Sequence, residues 1–407
     1  MEKTVNKDHN SGELKLELIT KGVRLDRSAL SSSEIVRALD IDNQVNNPLE
    51  LDLILPGKVL VNIAIQECLD RETNYFLIKE GEDFYVVKED LKVKVYLESP
   101  PKFYDQLTSS GKIMAKVGRK YGDYLLVTPT GACEFLSGDM ACKYCDVDAK
   151  KTDDKSVQDV LETIEAALAE GAAEFVCINV GYISSDDGGI SMVLPFVKAI
   201  KAKFDVLICV QAQPPKTDEW IDITYASGID SLAYNLEVYD AEIFKRIAPG
   251  KMSLVGRDRY FQALARAARV FPSGSIVSNL IIGLEPLEST YKGIDILTAM
   301  GVVPTLPIFR PVPDSDLTSF FDLSPESLSP IYVHLQDALK RNRLSSSWIS
   351  HFNVVVNAID AHYFGGEAPV KRQWPAVLKS KKRNKLALNL RRRLRVRTAD
   401  DNESTGL

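Results

Sequence analysis

Three cysteines carry the strongest chemical signal in this sequence. Cys133, Cys142 and Cys145 lie in one segment, Gly131-Ala132-Cys133-Glu134-Phe135-Leu136-Ser137-Gly138-Asp139-Met140-Ala141-Cys142-Lys143-Tyr144-Cys145, spaced C-x8-C-x2-C. Thiolate is the ligand that selects iron–sulfur clusters or zinc over harder metals. Three thiolates from one loop can hold three irons of a [4Fe–4S] cube and leave the fourth open as a substrate site. Zinc is the alternative, but a structural zinc normally takes four protein ligands, from two cysteine knuckles or from one knuckle and two histidines. No second knuckle exists, and His351 and His362 are distant in sequence. Cys177 and Cys209 fall inside apolar runs, where a cysteine is expected to be a small buried hydrophobe.

The elements that must position this loop follow from the hydrophobic rhythm. Downstream of the stiff Ser99-Pro100-Pro101 junction, apolar runs at 124–130, 174–180, 206–211, 231–236, 275–282 and 303–309 read as strands. Helical patterns at 156–169, 190–203, 257–270 and 290–300 lie between them. Near-continuous apolar strands alternating with amphipathic helices argue for parallel β/α units with both sheet faces covered. The expectation is an α/β fold, a partial (β/α)6 TIM-like barrel, with chemistry on loops at the C-terminal strand ends. A doubly wound open sheet would give the same pattern. Upstream, short runs at 51–55, 59–65, 75–78 and 84–87 predict an N-terminal α+β appendage. The expected division is a disordered tail at 1–12, the appendage at 13–100, the core barrel at 101–325, a helical extension at 326–370 and a basic tail at 371–407.

Bulk properties set limits on partners. The 407 residues are 45% hydrophobic with a formal net charge of −6, which gives no general pull toward nucleic acid or anionic membranes. There is no apolar leader in the first thirty residues and no apolar stretch of membrane-spanning length, so a cytoplasmic protein is expected. Lys381-Lys382-Arg383 and Arg391-Arg392-Arg393 make a local basic patch. A solvated tail is the simpler reading, and the absence of interleaved aromatics argues against base stacking.

With its position after the first strand of the β/α series, the cysteine loop resembles that of radical S-adenosylmethionine (SAM) enzymes. Tyr144 matches the aromatic that precedes the last cysteine of their motif; the eight-residue first spacer is longer than the common form. The resemblance covers residues 124–310 and implies a [4Fe–4S] cluster and SAM as cofactors. It is similar to biotin-synthase-like members in several places. Asn179-Val180-Gly181-Tyr182 stands where the turn binding the SAM amino group is expected, without its usual Glu. Asn235 and Glu237 match the ribose and methionyl contacts, and an acidic side chain can accept both ribose hydroxyls. Arg259 corresponds to an Arg on the SAM carboxylate, a natural use of a planar bidentate donor. Asn279, Ile282 and Gly283 belong to an apolar-Gly-x-Glu element, ending in Glu285, whose backbone lies against adenine. The whole chain also resembles an uncharacterised radical SAM branch associated with nitrilase gene clusters, through Gly22-Val23-Arg24-Leu25-Asp26, Pro101-Lys102-Phe103-Tyr104-Asp105, Glu237-Val238-Tyr239-Asp240 and Ala248-Pro249-Gly250-Lys251.

What this implies is reductive cleavage of SAM to a 5′-deoxyadenosyl radical that abstracts hydrogen from a small-molecule substrate, with a flavodoxin- or ferredoxin-type electron donor. Substrate is expected near Gln211, Gln213, Phe309, Arg310 and residues 314–316. Arg310 reads equally as a partner for a neighbouring acid. His334 and His362 sit on helical patterns where a histidine is more often a surface or satisfied residue than a proton donor. Two rivals are carried forward: a radical SAM enzyme that modifies RNA through the basic tail, and a zinc-stabilised β/α binding protein.

Overall fold

The computed structural model describes residues 9–45, 50–65, 72–136, 138–145, 154–310, 317, 319–321, 323–346, 348, 352 and 354–366, with the side chains of 40–45 excepted. The basic tail, residues 314–316, Cys68 and His351 lie outside the described residues.

The N-terminal part opens with helix α1 (Ser11–Lys21), started by the Asn10 side chain, which accepts from the backbone N–H groups of Gly12 and Glu13. Order therefore begins inside the span 1–12 expected to be a tail. Strand β1 (Arg24–Leu25) and helices α2 (Arg27–Leu30) and α3 (Ser33–Val45) follow, then β2 (Glu50–Leu55), β3 (Val59–Ala64), β4 (Phe76–Glu80), β5 (Asp83–Lys88) and β6 (Leu91–Leu97). These strands form one sheet in the order β1-β4-β5-β6-β2-β3, antiparallel except for β1 with β4. β2 alternates between half-buried and buried residues along its length, the signature of a sheet covered on one face.

The second part begins with a short helix α4 (Met114–Val117) and β7 (Gly118–Tyr121). It then runs β8 (Tyr124–Val127), α5 (Val157–Ala169), β9 (Phe175–Asn179), α6 (Ile190–Lys203), β10 (Leu207–Ala212), α7 (Glu219–Ala226), β11 (Ser231–Tyr234), α8 (Ala241–Ile247), α9 (Arg257–Val270), β12 (Ile276–Asn279), α10 (Leu287–Ala299) and β13 (Val303–Thr305), closing with α11 (Pro325–Arg341). The seven strands lie in sequence order from β7 to β13, and all pairs from β8 onward are parallel. A doubly wound sheet reverses its order at a switch point; no reversal occurs here. Every residue of β11 is buried, as is β9 up to Asn179, consistent with strands covered on both faces. Helix starts are specified locally: Ser156 and Asp159 form a reciprocal capping box on α5, and the Asp240 side chain accepts from the N–H groups of Glu242 and Ile243 on α8.

Strands are shorter than their apolar runs. β12 stops at Asn279 and β13 at Thr305, although isolated bridges pair Glu237 with Leu280 and Ile282 with Ile308 beyond them. Past the regular ladder the chain is still apolar and paired, but it bends, so periodicity overstates strand length. At the opposite ends of β8 and β9, Tyr124 and Phe175 stack on each other and meet the ring of Phe352 edge-on, with Trp348 edge-on to Phe175. That end of the sheet is closed by aromatic packing, which leaves chemistry to the C-terminal ends.

Arg310, just past β13, does not face a substrate space. Its guanidinium donates to Glu50 Oε1 at 3.0 Å and to the Asn62 backbone oxygen at 2.9 Å, joining the second sheet to the β2–β3 hairpin. This is the acid-partner reading of Arg310. Removing one member of a mostly buried ion pair takes away part of the compensation for the other charge. Arg310→Ala is expected to lower the midpoint of urea unfolding by an amount equivalent to about 2 kcal/mol, with Arg310→Lys recovering part of it.

Candidate functional site

The cysteine loop leaves β8 and is laid across two backbone turns. On one side, Glu134 N–H donates to the Tyr182 carbonyl at 2.8 Å, Ser184 N–H donates to the Glu134 carboxylate at 2.6 Å, and the Phe135 and Tyr182 rings stack with centroids 4.4 Å apart. Gly181 is the closest point: a Cβ there would sit 2.4 Å from the Ala132 carbonyl oxygen and 2.6 Å from the Cys133 Cβ. On the other side, Lys143 N–H donates to the Ile247 carbonyl at 2.8 Å, and a Cβ on Gly250 would sit 2.5 Å from the Met140 carbonyl oxygen.

The three thiols differ in setting. Cys133 is half-buried and accepts the Tyr182 N–H at 3.4 Å. Cys142 is buried and Cys145 exposed, joined by a tight turn in which Cys145 N–H donates to the Cys142 carbonyl at 3.0 Å. Burial pushes the Cys142 thiol up, opposed by the Lys251 ammonium and the Tyr144 hydroxyl. Among the described residues no three His, Cys, Asp or Glu side chains are already gathered as a metal cage. The donor set nonetheless fits an iron–sulfur cluster: three thiols on one loop, one of them already taking a backbone N–H, on a bed of two glycine turns.

Beside the loop lies a buried ion pair. Lys251 Nζ is 3.0 Å from Glu237 Oε1 and donates to the Asn235 carbonyl at 2.8 Å; Lys251 is 3% exposed and Glu237 7%. The ammonium lies 5.8 Å from the Tyr144 ring centroid and 5.5 Å from that of Tyr260. Tyr260 donates through its hydroxyl to Gln213 Oε1 at 2.5 Å. Glu237 has φ of +73°, a left-handed conformation uncommon for a residue with a side chain. It is held there by its own N–H on the Asn279 carbonyl and by Ile281 N–H on its carbonyl.

Several residues singled out in the sequence converge. Asn179 and Gln211 are register partners on β9 and β10. Asn279 and Thr305 are partners on β12 and β13 and are joined by a hydroxyl-to-amide hydrogen bond; Asn235 Oδ1 accepts the Asn279 N–H at 3.2 Å. These polar groups line the C-terminal ends of consecutive strands. Ile282 and Phe309 are buried and linked by a hydrogen bond from Phe309 N–H, and Gly283 turns with φ of +100°. Arg259 stands apart: Nε donates to the Pro215 carbonyl at 2.7 Å and Nη1 to Asp218 at 2.8 Å, while its buried Nη2 has no partner. His334 pairs with Asp295 at 3.0 Å and His362 Nδ1 lies 2.8 Å from the Ile359 carbonyl, neither beside the cysteine loop. Cys177 and Cys209 are buried register partners inside the sheet.

Sequence reasoning gave no role to Lys251 or Tyr260, and it named Tyr182 only as part of a turn. Lys251 lay in a segment noted only as a whole, and a lysine after Ala-Pro-Gly gives no sign of burial.

Glu285 holds the approach to α8. Its Oε2 accepts from the N–H groups of both Tyr239 and Asp240 at 2.7 Å, its Oε1 is buried without a hydrogen-bond partner, and it is 1% exposed. Burial outweighs the two N–H donors and pushes its carboxyl up to about 7.

No family model matches the chain. Bacteriochlorophyllide c C-7(1)-hydroxylase of Chlorobaculum limnaeum is 27% identical over 141 residues, 32% of this chain and 34% of that protein. The chain thus spans about a third of the length of this curated relative. Among solved structures, methylornithine synthase (PylB) is similar at a TM-score of 0.45 and 13% identity, over 62% of this chain and 74% of that one. A radical SAM methyltransferase from Sphaerobacter thermophilus is similar at 0.42 and 10%, over 66% and 75%.

Two outcomes test this geometry. Gly181→Ala is expected to push the cysteine loop off its bed and sharply reduce the iron retained after anaerobic reconstitution, measured per protein chain. Because a raised carboxyl favours the protonated fold, Glu285 contributes stability that is full below about pH 4.5 and lost as pH rises through 7. Glu285→Gln should therefore flatten the pH dependence of unfolding across that window by up to about 3 kcal/mol.

Proposed function

We propose that this chain is a radical SAM enzyme. It is an enzyme whose cofactors are a [4Fe–4S] cluster and S-adenosylmethionine, with Cys133, Cys142 and Cys145 as the iron ligands. The observation that carries the reading is the seating of one three-cysteine loop, after the first parallel strand, against the two glycine turns at the C-terminal side of a sequentially ordered β/α sheet. We read that sheet as a partial (β/α)6 barrel with the N-terminal sheet as its appendage.

Held by Cys133, Cys142 and Cys145, a bound cluster would supply the electron for reductive cleavage of SAM to methionine and a 5′-deoxyadenosyl radical, which would take hydrogen from the substrate. The protein holds and orients. Gly181 and Asn179 stand where the SAM amino group is expected, Asn235 and Glu237 where the ribose is expected, and Asn279, Ile282, Gly283 and Phe309 beside the adenine. Tyr144 backs the cluster loop and Gln211 faces the substrate side. Arg259 remains the proposed carboxylate contact through its unpaired Nη2, with Asp218 fixing the rest of the guanidinium. Preset donors of this kind keep a reactive intermediate in place and exclude water.

The substrate is a small molecule, and the electron donor is of the flavodoxin or ferredoxin type. Among the described residues no helix is long and apolar enough to cross a membrane. The placement in the branch associated with nitrilase gene clusters rests on the four shared segments. The likeness to the bacteriochlorophyllide hydroxylase is too local to carry its substrate across.

The test is anaerobic reconstitution with iron and sulfide, followed by dithionite and SAM, with mass spectrometry of the nucleoside product. The expected result is a brown protein that releases 5′-deoxyadenosine. Alanine at 133, 142 or 145 should abolish both colour and cleavage, while Cys177→Ser and Cys209→Ser should keep their iron. A colourless protein that retains zinc would overturn the proposal.

A further inference from the structure

Building on the cluster assignment above, we infer that Lys251 is a positioning residue that sets the reduction potential of the iron–sulfur centre, acting as a fixed, buried positive charge beside the cysteine loop.

The placement is specific. Residues 251–255 form a π-helical turn, a feature often found at functional sites. Met252 and Leu254 of that turn are exposed while Lys251 points inward and is buried. A buried ammonium costs several kcal/mol unless it is paired and hydrogen-bonded, and Lys251 has both kinds of support in Glu237 and the Asn235 carbonyl. Its segment is the wall on which the loop rests, through Ile247 and Gly250. The ring of Tyr144, which on the loop directly precedes Cys145, has its centroid 5.8 Å from the ammonium.

The rest is electrostatics. Reduction adds a negative charge to the cluster, so a nearby cation stabilises the reduced state and raises the potential, and an anion lowers it. Burial keeps solvent from screening either effect. The Tyr182 N–H to Cys133 Sγ works in the same direction as the cation, since hydrogen bonds to cluster sulfurs raise the potential. A helix-end lysine in water would do neither.

The experiment is an EPR-monitored redox titration of the reconstituted, iron-loaded full chain without SAM, comparing wild type with Lys251→Met, Lys251→Arg and Glu237→Gln. Lys251→Met should move the midpoint to more negative values, Lys251→Arg should stay near wild type, and Glu237→Gln, which removes the opposing charge, should move it to more positive values. Shifts of opposite sign at two touching residues are not what simple loosening of the site would produce, because admitted water would move both the same way. Unmoved midpoints in variants with full iron content would overturn the inference and leave the cluster assignment intact. Should Lys251→Met fail to hold iron, Glu237→Gln decides: a positive shift supports the role of Lys251, and no shift or a negative one overturns it. A wild-type chain that binds no iron would instead overturn the cluster assignment itself.

Discussion

The close approach of three backbone segments, at two positions without a Cβ, is the constraint on which the site depends. The cysteine loop rests on Gly181 and Gly250, where a methyl group would fall within 2.6 Å of the loop's main chain or of Cys133. Contacts that tight do not yield by a side-chain rotation, because the atoms met at each glycine include a carbonyl oxygen. The loop is then tied down by backbone hydrogen bonds through Glu134 and Lys143. Thiol positions therefore follow from where β9 ends and where α8 ends, two points brought together by the parallel sheet.

Much of this frame was legible in the sequence because parallel β/α units write a strong pattern: apolar strands bracketed by amphipathic helices. The cysteine spacing was legible for a different reason, since chemistry restricts which residue types can hold iron. What failed to show were features whose cause lies elsewhere in the chain. Helix α8 is only seven residues long and starts on an Asp240 cap, so its apolar residues Ile243, Phe244 and Ile247 are too few to establish a period. The polar first turn of α1 reads as part of a tail in the sequence, yet Asn10 also donates to the Tyr363 carbonyl, 353 residues away.

Charged residues were the hardest to read, and three of them show why. Arg310 and Arg259 are plausible ligand contacts in a one-dimensional pattern, and nothing in that pattern singles out Lys251. In the fold, Arg310 is spent on Glu50 and Asn62 and Arg259 largely on Asp218, whereas Lys251 is buried against Glu237 near the Tyr144 ring of the cysteine loop. Which cation reaches the site is decided by the acids nearby, and acid positions carry no periodic signal.

The strained turn at Glu237 joins these observations. A left-handed conformation at a residue with a side chain costs of order 1 kcal/mol and persists only when its surroundings hold it. Three constraints act here: the ladder bonds to Asn279 and Ile281, the ion pair to Lys251, and Glu285, which grips the two N–H groups that follow at Tyr239 and Asp240. The turn thereby brings an acidic side chain against a buried lysine that also lies 5.8 Å from the ring of Tyr144 on the cysteine loop. The two buried charges, 3.0 Å apart, are fixed in place by the fold. Charges preset in this way need no reorganisation when further charge is brought beside them.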